Sequence, residues 1–310
     1  MRACRLTVGV ACAPVTGGSR LALAAAYAAI CVIWGSTYLA IKVGLESFDP
    51  LFYAGTRYAL ATVLSYALAR LQGVRFTGPL RRWLPAFGVG VLFIAICNGL
   101  VFWAETRLDS GFTALLLTTS PVGTALLAPL AGERTPRAIG WLGVALGFAG
   151  TVVLIEPWRA GAVPLLPAAA VEVSVVVWAA GALWARRIRE DFHPMAITVA
   201  QMGSGAVLLL TLSAVRGEAL VGPVSTRALL ALAYLVVFGS SVAFATYFYL
   251  LRHWEATRVA TSTYVNPVVA LVLGVVFLGE TVTWGMVAGT AVVLAGVALV
   301  LHEQRRPDKT

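Results

Sequence analysis

Two stretches of the chain follow the same plan, and each is long enough to cross a membrane as a helix. Residues 257–280 read TRVATSTYVNPVVALVLGVVFLGE, and residues 108–133 read LDSGFTALLLTTSPVGTALLAPLAGE. Each is apolar over about 20 residues, which is the length a helix needs to cross the hydrocarbon layer. Each has a proline near its middle, Pro121 or Pro267, and ends in Gly-Glu. Because the prolines lie 146 positions apart in a chain of 310 residues, the sequence predicts two copies of one unit.

Apolar residues dominate the rest of the chain too, at 59% of all residues against 12% charged. A soluble domain carries about 25% charged residues, so this composition predicts an integral membrane protein. The ten-residue segments of alternating hydrophobicity that are typical of outer-membrane barrels do not occur. The net charge of +9 is explained by basic loop residues that orient the helices, so no nucleic-acid partner is predicted.

Ten apolar runs separated by short loops predict ten transmembrane helices. We place them at 21–41, 51–71, 83–104, 112–130, 138–155, 165–185, 195–215, 228–250, 259–278 and 283–301. Of the 23 lysine and arginine residues, 17 fall on one side of the predicted membrane and five on the other, while Arg57 lies within a span. Because loops rich in lysine and arginine stay in the cytoplasm, we expect both termini there.

The duplication extends beyond the proline helices. The triplet FDP at 48–50 recurs as FHP at 192–194, each just before a second span, and Trp34 recurs as Trp178 with the same spacing of 144 positions. A unit of five spans is odd in number, so the second copy enters the membrane inverted. The predicted fold is therefore an all-α membrane protein with ten transmembrane helices as two inverted five-helix repeats. Inverted repeats are typical of secondary transporters, whose substrate site lies near the midplane between the repeats.

Several motifs are similar to those of a known family. They are IWGSTYLAIKVGL at 33–45, FDPLFYAGTRYALA at 48–61, TWGMVAGTAVVLAGVALV at 283–300 and the two proline helices. With these motifs the chain resembles the EamA-type transporters of the drug/metabolite transporter superfamily. The resemblance implies ten helices in two inverted repeats, cytoplasmic termini, and export or exchange of small metabolites such as amino acids and drugs. Arg57 matches the arginine of the family's second span, whereas its counterpart in the second repeat is Gln201, so no symmetric charge role is expected.

Two EamA-like repeats are expected to fill most of the chain. We place a cytoplasmic tail at 1–20, the first repeat at 21–156, the second repeat at 164–302 and a second cytoplasmic tail at 303–310.

The two prolines are predicted to break their helices at the substrate site. A proline inside a helix removes a backbone donor, which frees the carbonyl four residues earlier, here that of Leu117 or Thr263. In lipid such a carbonyl needs a partner, and beside a cavity it can meet substrate or water. The alternative is a structural kink that threonine hydroxyls satisfy. The polar residues near the two breaks, and so candidates for substrate binding, are Asn266, Tyr264, Thr263, Thr119 and Ser120.

Arg57 and Glu172 are the ionisable residues predicted to lie deepest in the membrane. Each lies roughly 10 Å inside the outer surface at 1.5 Å per residue. Charges at this depth usually face a partner or a cavity, so we expect the two to pair or to flank one substrate path. A desolvated Glu172 could also carry a coupling proton. The alternative is that Arg57 reaches the interface or caps backbone carbonyls, and that Glu172 lies nearer the surface.

Three further residues complete the predicted substrate site. Trp34 and Trp178 lie deeper than most aromatic residues here and occupy equivalent positions, although aromatics at span ends more often anchor a helix at the interface. Asn98 in the third span is a further hydrogen-bonding candidate. No cofactor and no metal are predicted, since the four cysteines lack CxxC spacing.

The pattern predicts a secondary transporter that moves small organic metabolites across the plasma membrane by alternating access. An exporter of amino acids, related metabolites or drugs in a bacterial inner membrane fits best. The alternatives are a membrane-embedded enzyme, which would need clustered catalytic groups, and a channel-like facilitator, which would show filter loops or charged rings. Neither feature occurs in the sequence, and we expect no enzymatic activity. The expected partners are a small-molecule substrate and the lipid bilayer, with the oligomeric state open between monomer and homodimer.

Overall fold

The computed structural model describes residues 20–108, 110–133, 135–155, 164–278 and 284–303, and the fold is given for these residues only. Its first half, which ends before residue 156, consists of α1 (Arg20–Gly44), α2 (Pro50–Leu71), α3 (Leu80–Glu105), α4 (Ser110–Leu117), α5 (Ser120–Leu127) and α6 (Ala138–Ile155). Its second half consists of α7 (Leu165–Arg187), α8 (Pro194–Arg216), α9 (Thr226–His253), α10 (Ala256–Ala260), α11 (Ser262–Leu278) and α12 (Trp284–Glu303).

The described part of the chain is all-helical, apart from an isolated β-bridge between Phe48 and Leu220. Six helices are long and apolar enough to cross a membrane: α1, α3, Thr113–Ala131, α7, α8 and α9. This confirms the predicted class of membrane protein, whereas ten spans remain a prediction. Glu280, the second of the matched glutamates, lies outside the described residues.

The second helix of each half begins where the repeated Phe-x-Pro triplet predicts. Pro50 and Pro194 are the first residues of α2 and α8. Proline suits this position because its fixed φ is helical and its missing N–H would have no partner there. Ahead of α8, the Nδ1 atom of His193 accepts a hydrogen bond from the backbone N–H of Met195 at 3.3 Å.

The second and the fifth helix of each half pack against their counterparts in the other half. Helix α2 lies along α8, and α6 lies along α12. The second pair approaches so closely that a Cβ atom on Gly150 would lie 2.6 Å from the backbone nitrogen of Val293. Small residues allow this contact between membrane helices. The first helix of each half also packs against the interrupted fourth helix of the other half: α1 packs on α11, and α7 packs on α5.

The two helix breaks do not occupy equivalent positions relative to their prolines. In the first half a turn at Thr118 and Thr119 separates α4 from α5, immediately before Pro121. In the second half the interruption falls at Thr261, and α11 runs through Pro267. The predicted break at Pro267 is therefore displaced by six residues. The helical hydrogen-bond pattern is interrupted at Thr261, whose hydroxyl donates to the carbonyl of Arg258 at 2.7 Å and satisfies the end of α10.

The third helix of each half contains a π-helical segment. In α3 this is Val91–Asn98, and in α9 it is Leu235–Val242, 144 positions later. Wider π turns are frequent at functional sites because they redirect backbone carbonyls and side chains. Both segments lie beside the cavity described next, since Asn98 lines it and the carbonyl of Gly239 binds two of its lining residues.

Candidate functional site

A cavity of about 90 Å³ lies between helices of the two halves. Seven of the ten residues predicted to bind substrate line it, namely Trp34, Arg57, Asn98, Ser120, Trp178, Thr263 and Asn266. Leu117 and Thr263, the two residues whose carbonyls the prolines leave without an intrahelical donor, are both part of the wall. The two interrupted helices, α4–α5 in the first half and α10–α11 in the second, thus both contribute residues to the cavity wall. Only the first interruption lies beside its proline.

Arg57 is the cation of the cavity, and its side chain is 3% exposed. Its Nε donates to the hydroxyl of Ser240 at 2.8 Å, and its Nη2 donates to the carbonyl of Gly239 at 3.0 Å. Its guanidinium lies 4.7 Å from the ring centre of Tyr58 and 5.7 Å from that of Phe102. These partners are all neutral, so the charge of Arg57 is solvated without being neutralised.

Aromatic side chains form one side of the cavity. The rings of Trp34 and Trp178 meet edge to face with their centres 5.5 Å apart, so the two repeat-related tryptophans are in direct contact. The ring of Phe244 lies 5.5 Å from that of Trp34. The indole N–H of Trp34 donates to the carbonyl of Gly239 at 3.3 Å, which is the acceptor that Arg57 also uses. The carbonyl of Gly239, in the π-helical segment of α9, therefore positions both Arg57 and Trp34.

Two asparagines contribute polar groups to the cavity wall. The Oδ1 atom of Asn98 accepts from the hydroxyl of Tyr58 at 2.7 Å, and its Nδ2 donates to the carbonyl of Phe93 at 2.6 Å. With the amide oriented by its hydrogen-bond network, Nδ2 of Asn266 donates to the carbonyls of Ser262 at 3.0 Å and Cys31 at 3.3 Å. Asn266 therefore links α11 to α1 of the other half while it lines the cavity.

Three predicted residues do not line the cavity. The hydroxyl of Thr119 lies 2.9 Å from a carboxylate oxygen of Glu172, and these two form a separate half-buried pair. Tyr264 is fully buried and donates to the carbonyl of Val144 at 2.9 Å, so it holds α11 against α6. The expected ion pair between Arg57 and Glu172 is not formed: no salt bridge joins these two described residues, because Arg57 turns toward α9 and Glu172 toward the turn between α4 and α5.

The sequence reasoning missed two tyrosines and a glutamate. Tyr38 and Tyr58 line the cavity, and Tyr38 could have been found because it lies one helical turn from Trp34 on the same face. Glu105, at the end of α3, is fully buried, and neither of its carboxylate oxygens has a hydrogen-bond partner among the described residues. The ammonium of Lys42 donates at 3.0 Å to the main-chain carbonyl of Glu105.

A group of polar contacts ties the halves together after α5. Glu133 forms an ion pair with Arg186 of α7, with an oxygen 2.8 Å from Nε, and also accepts from the backbone N–H of Ala256 at 3.3 Å. Burial raises the pKa of Glu133 above its usual value, although the guanidinium of Arg186 opposes this. The guanidinium of Arg186 also donates to the carbonyl of Trp254 at 2.5 Å.

Sequence comparison identifies the family. The EamA-like transporter family matches two segments, residues 21–156 and 167–302. The chain belongs to the EamA-like transporter family. Together the two matches cover most of the chain, so the repeat seen in the sequence is a repeat of the EamA-like unit. With its apolar helices, this EamA-like transporter is a multi-pass membrane protein.

Relatives of this EamA-like transporter are themselves named as transporters. The chain is 35% identical over 288 residues to YedA of Escherichia coli K12, named as an inner membrane transporter, with 90% of each chain covered. It is 31% identical over 278 residues to a protein of Streptantibioticus cattleyicolor whose name is "Probable terminal-alkyne amino-acid exporter", covering 87% of this chain and 90% of that one. A crystal structure with 22% identity superposes with a TM-score of 0.77 over 93% of this chain and 99% of the other, which shows the same fold.

Proposed function

We propose that this protein is a secondary transporter that exports small amino acids across the inner membrane by alternating access. The observation that carries the proposal is the buried guanidinium of Arg57 at the cavity wall. Its Nε and Nη2 have partners, whereas its Nη1 has none among the described residues, and no described carboxylate forms an ion pair with it. An arginine in this state is suited to bind a substrate carboxylate through charge-assisted hydrogen bonds.

The remaining wall fits the other parts of an amino acid. The rings of Trp34 and Trp178, which line the cavity, would supply cation–π contacts to an ammonium group and an apolar surface to a side chain. The cavity holds several water-sized groups but is small for a drug-sized ligand, which supports a small metabolite over a large drug. The exporter of S. cattleyicolor supports an amino acid as the substrate class.

Alternating access is supported by the way the halves meet. Helix α2 packs on α8 and α6 packs on α12, and the interrupted fourth helix of each half contributes residues to the cavity. Ten spans in two inverted repeats, with both termini in the cytoplasm, would let the halves exchange conformations around one site. The ion pair of Glu133 with Arg186 would close the cavity on the cytoplasmic side in the present state.

Counterflow in proteoliposomes tests the proposal. Vesicles that contain the purified protein and unlabelled L-propargylglycine, a small terminal-alkyne amino acid, are diluted into the radiolabelled compound. We expect transient accumulation of label that saturates with concentration. The Arg57→Gln variant should lose at least about tenfold in rate, as expected when a charged hydrogen bond worth about 1.5–3 kcal/mol is removed. Flux that is linear in concentration and not stimulated from the opposite side would indicate a channel, and absence of flux for L-propargylglycine and L-valine would reject amino acids.

A further inference from the structure

Glu105 has a side chain that would be charged in water at neutral pH, yet it is fully buried. Among the described residues it is the one such side chain without a hydrogen-bond or ion-pair partner. Its exposure is 0%, and both carboxylate oxygens lack a hydrogen bond. It lies one helical turn beyond Val101, which lines the cavity. An ionised carboxylate in such a place is strongly disfavoured, whereas the neutral acid needs far less compensation. The geometry therefore favours a protonated Glu105 in this conformation.

Two cations, Lys42 and Arg57, would attract the carboxylate of Glu105 if it ionised, although neither forms an ion pair with it in this structure. The charged and titratable side chains that act on Glu105 are Lys42 and Tyr38 from α1 and Arg57 and Tyr53 from α2. Helix α4 has no titratable residue. Helix α7 carries Glu172, which has its own partner in Thr119. The ammonium of Lys42 is held by the backbone carbonyls of Glu105 and Leu108, at 3.0 and 3.2 Å.

Ionisation of Glu105 would therefore change what Arg57 binds. In the present state Arg57 of the first half holds Gly239 and Ser240 of the second half. A carboxylate at Glu105 attracts the guanidinium away from these neutral partners, and it repels an incoming substrate carboxylate. A protonated Glu105 leaves Arg57 free to bind that carboxylate. Proton binding and carboxylate binding thus favour each other, and this linkage is reciprocal.

We propose that Glu105 binds a proton that crosses the membrane together with the substrate's carboxylate, which makes the protein a proton–substrate symporter. The proposal rests on the proposed binding of the carboxylate to Arg57. Protons and substrate move in the same direction, so net export requires an outward substrate gradient that exceeds the opposing inward proton gradient. Glu172, the carboxyl group predicted to couple protons from its depth alone, takes no part, since it is half-buried and hydrogen-bonded to Thr119.

A pH gradient across proteoliposomes tests the coupling. With L-propargylglycine at equal concentration on both sides, an alkaline interior should drive its accumulation inside, up to about tenfold per pH unit for one proton per molecule. Glu105→Gln should abolish this accumulation and retain counterflow, because the amide mimics the protonated acid. Glu172→Gln is the matched control and should retain both activities. The proposal would be overturned if L-propargylglycine accumulated on the acidic side, or if the Glu105→Gln variant still accumulated it in response to the pH gradient. Loss of this accumulation in Glu172→Gln but not in Glu105→Gln would also overturn it.

The proton at Glu105 is also testable without any substrate. Infrared spectra of the purified protein should show the carbonyl stretch of a protonated carboxylic acid at neutral pH, and Glu105→Gln should remove it. If Glu105→Gln does not yield folded protein, Glu105→Asp serves instead and should shift this band and the pH at which it is lost. An unchanged spectrum in the variant would show that Glu105 is ionised. If counterflow fails in the unsubstituted protein, the proposed function fails, while this measurement still decides the state of Glu105.

Discussion

Arg57 combines two properties that a purely structural arginine does not need. It is buried at 3% exposure, and it donates only to a hydroxyl and a carbonyl, which leave its charge without compensation. Ionisable side chains inside a membrane protein are costly and mark substrate or ion paths. Binding of a substrate carboxylate in the cavity, as proposed above, would account for this cost. Trp34 shares the carbonyl of Gly239 with Arg57, so the aromatic wall and the cation are positioned together.

Replacing Trp34 should weaken substrate binding through loss of the ring face. A cation–π contact in a desolvated site is worth about 2 kcal/mol, so Trp34→Leu should raise the KM for L-propargylglycine counterflow by about 30-fold. Trp34→Phe should raise it less, since a ring remains. Trp284, which is 87% exposed at the start of α12, provides the control. A Trp284→Leu variant with the same rise in KM would show that the effect is not local to the cavity.

The sequence predicted many of the residues that line the cavity, but not which neighbouring side chains point away from it. Depth counted along a span suggested Arg57, and the position beside Pro267 suggested Asn266; both side chains line the cavity. The direction in which a side chain points depends on how the helix is rotated in the bundle, and the sequence therefore could not show that Tyr264 and Glu172 point away from the cavity. Glu105 was missed because a glutamate at the end of an apolar run resembles an ordinary loop residue.

Glu133, which follows α5, and Arg186 at the end of α7 form a contact that should open during transport. Glu133 belongs to the first half, whereas Arg186 and the backbone of Ala256 belong to the second. Hydrogen bonds to charged groups contribute about 1.5–3 kcal/mol, so Glu133→Gln should shift the equilibrium by about 10- to 100-fold toward the state open on this side. This shift is measured with a cysteine introduced at Ser120 and a thiol reagent added to inside-out vesicles. The cysteine should react faster in the Glu133→Gln background.

The exchange of charges provides the control for this contact. Glu133→Arg alone should mimic or exceed the effect of Glu133→Gln, and the double variant with Arg186→Glu should restore part of the original protection. Because burial raises the pKa of Glu133, mild acid should also weaken the contact in the unsubstituted protein. Equal reactivity of Ser120→Cys in all these backgrounds would show that the ion pair does not hold the halves together.

Helix starts were more predictable than helix breaks. The Phe-x-Pro triplets fixed the first residues of α2 and α8, because proline suits the first turn of any helix. Pro267 inside α11 shows the limit of this reasoning. Whether a helix stops at an internal proline depends on the groups that surround the freed carbonyl, and here the turn forms at Thr261 instead.

The duplication constrains the arrangement of the entire chain. Its spacing of about 144 positions recurs in the triplets, in the tryptophans and in the two π-helical segments. The way in which the halves interlock, with α2 on α8 and α6 on α12, could not be predicted because the sequence gives no distances between distant helices.

The uneven distribution of lysine and arginine predicts both termini in the cytoplasm. A green fluorescent protein fused after Thr310 should fluoresce, and an alkaline phosphatase fused there should be inactive. A phosphatase fused after Glu218, which follows α8, should be active. The reverse pattern would place the ion pair of Glu133 and Arg186 on the outer side and would invert the direction of the proposed opening.

The binding of a carboxylate at Arg57 is tested most directly by calorimetry on the purified protein. L-propargylglycine and its carboxamide differ only in the charge that Arg57 is proposed to recognise. We expect the acid to bind the unsubstituted protein at least about tenfold more tightly than the amide, and Arg57→Gln to abolish that preference. Equal affinity for acid and amide, or a preference that persists in Arg57→Gln, would contradict the proposed substrate site.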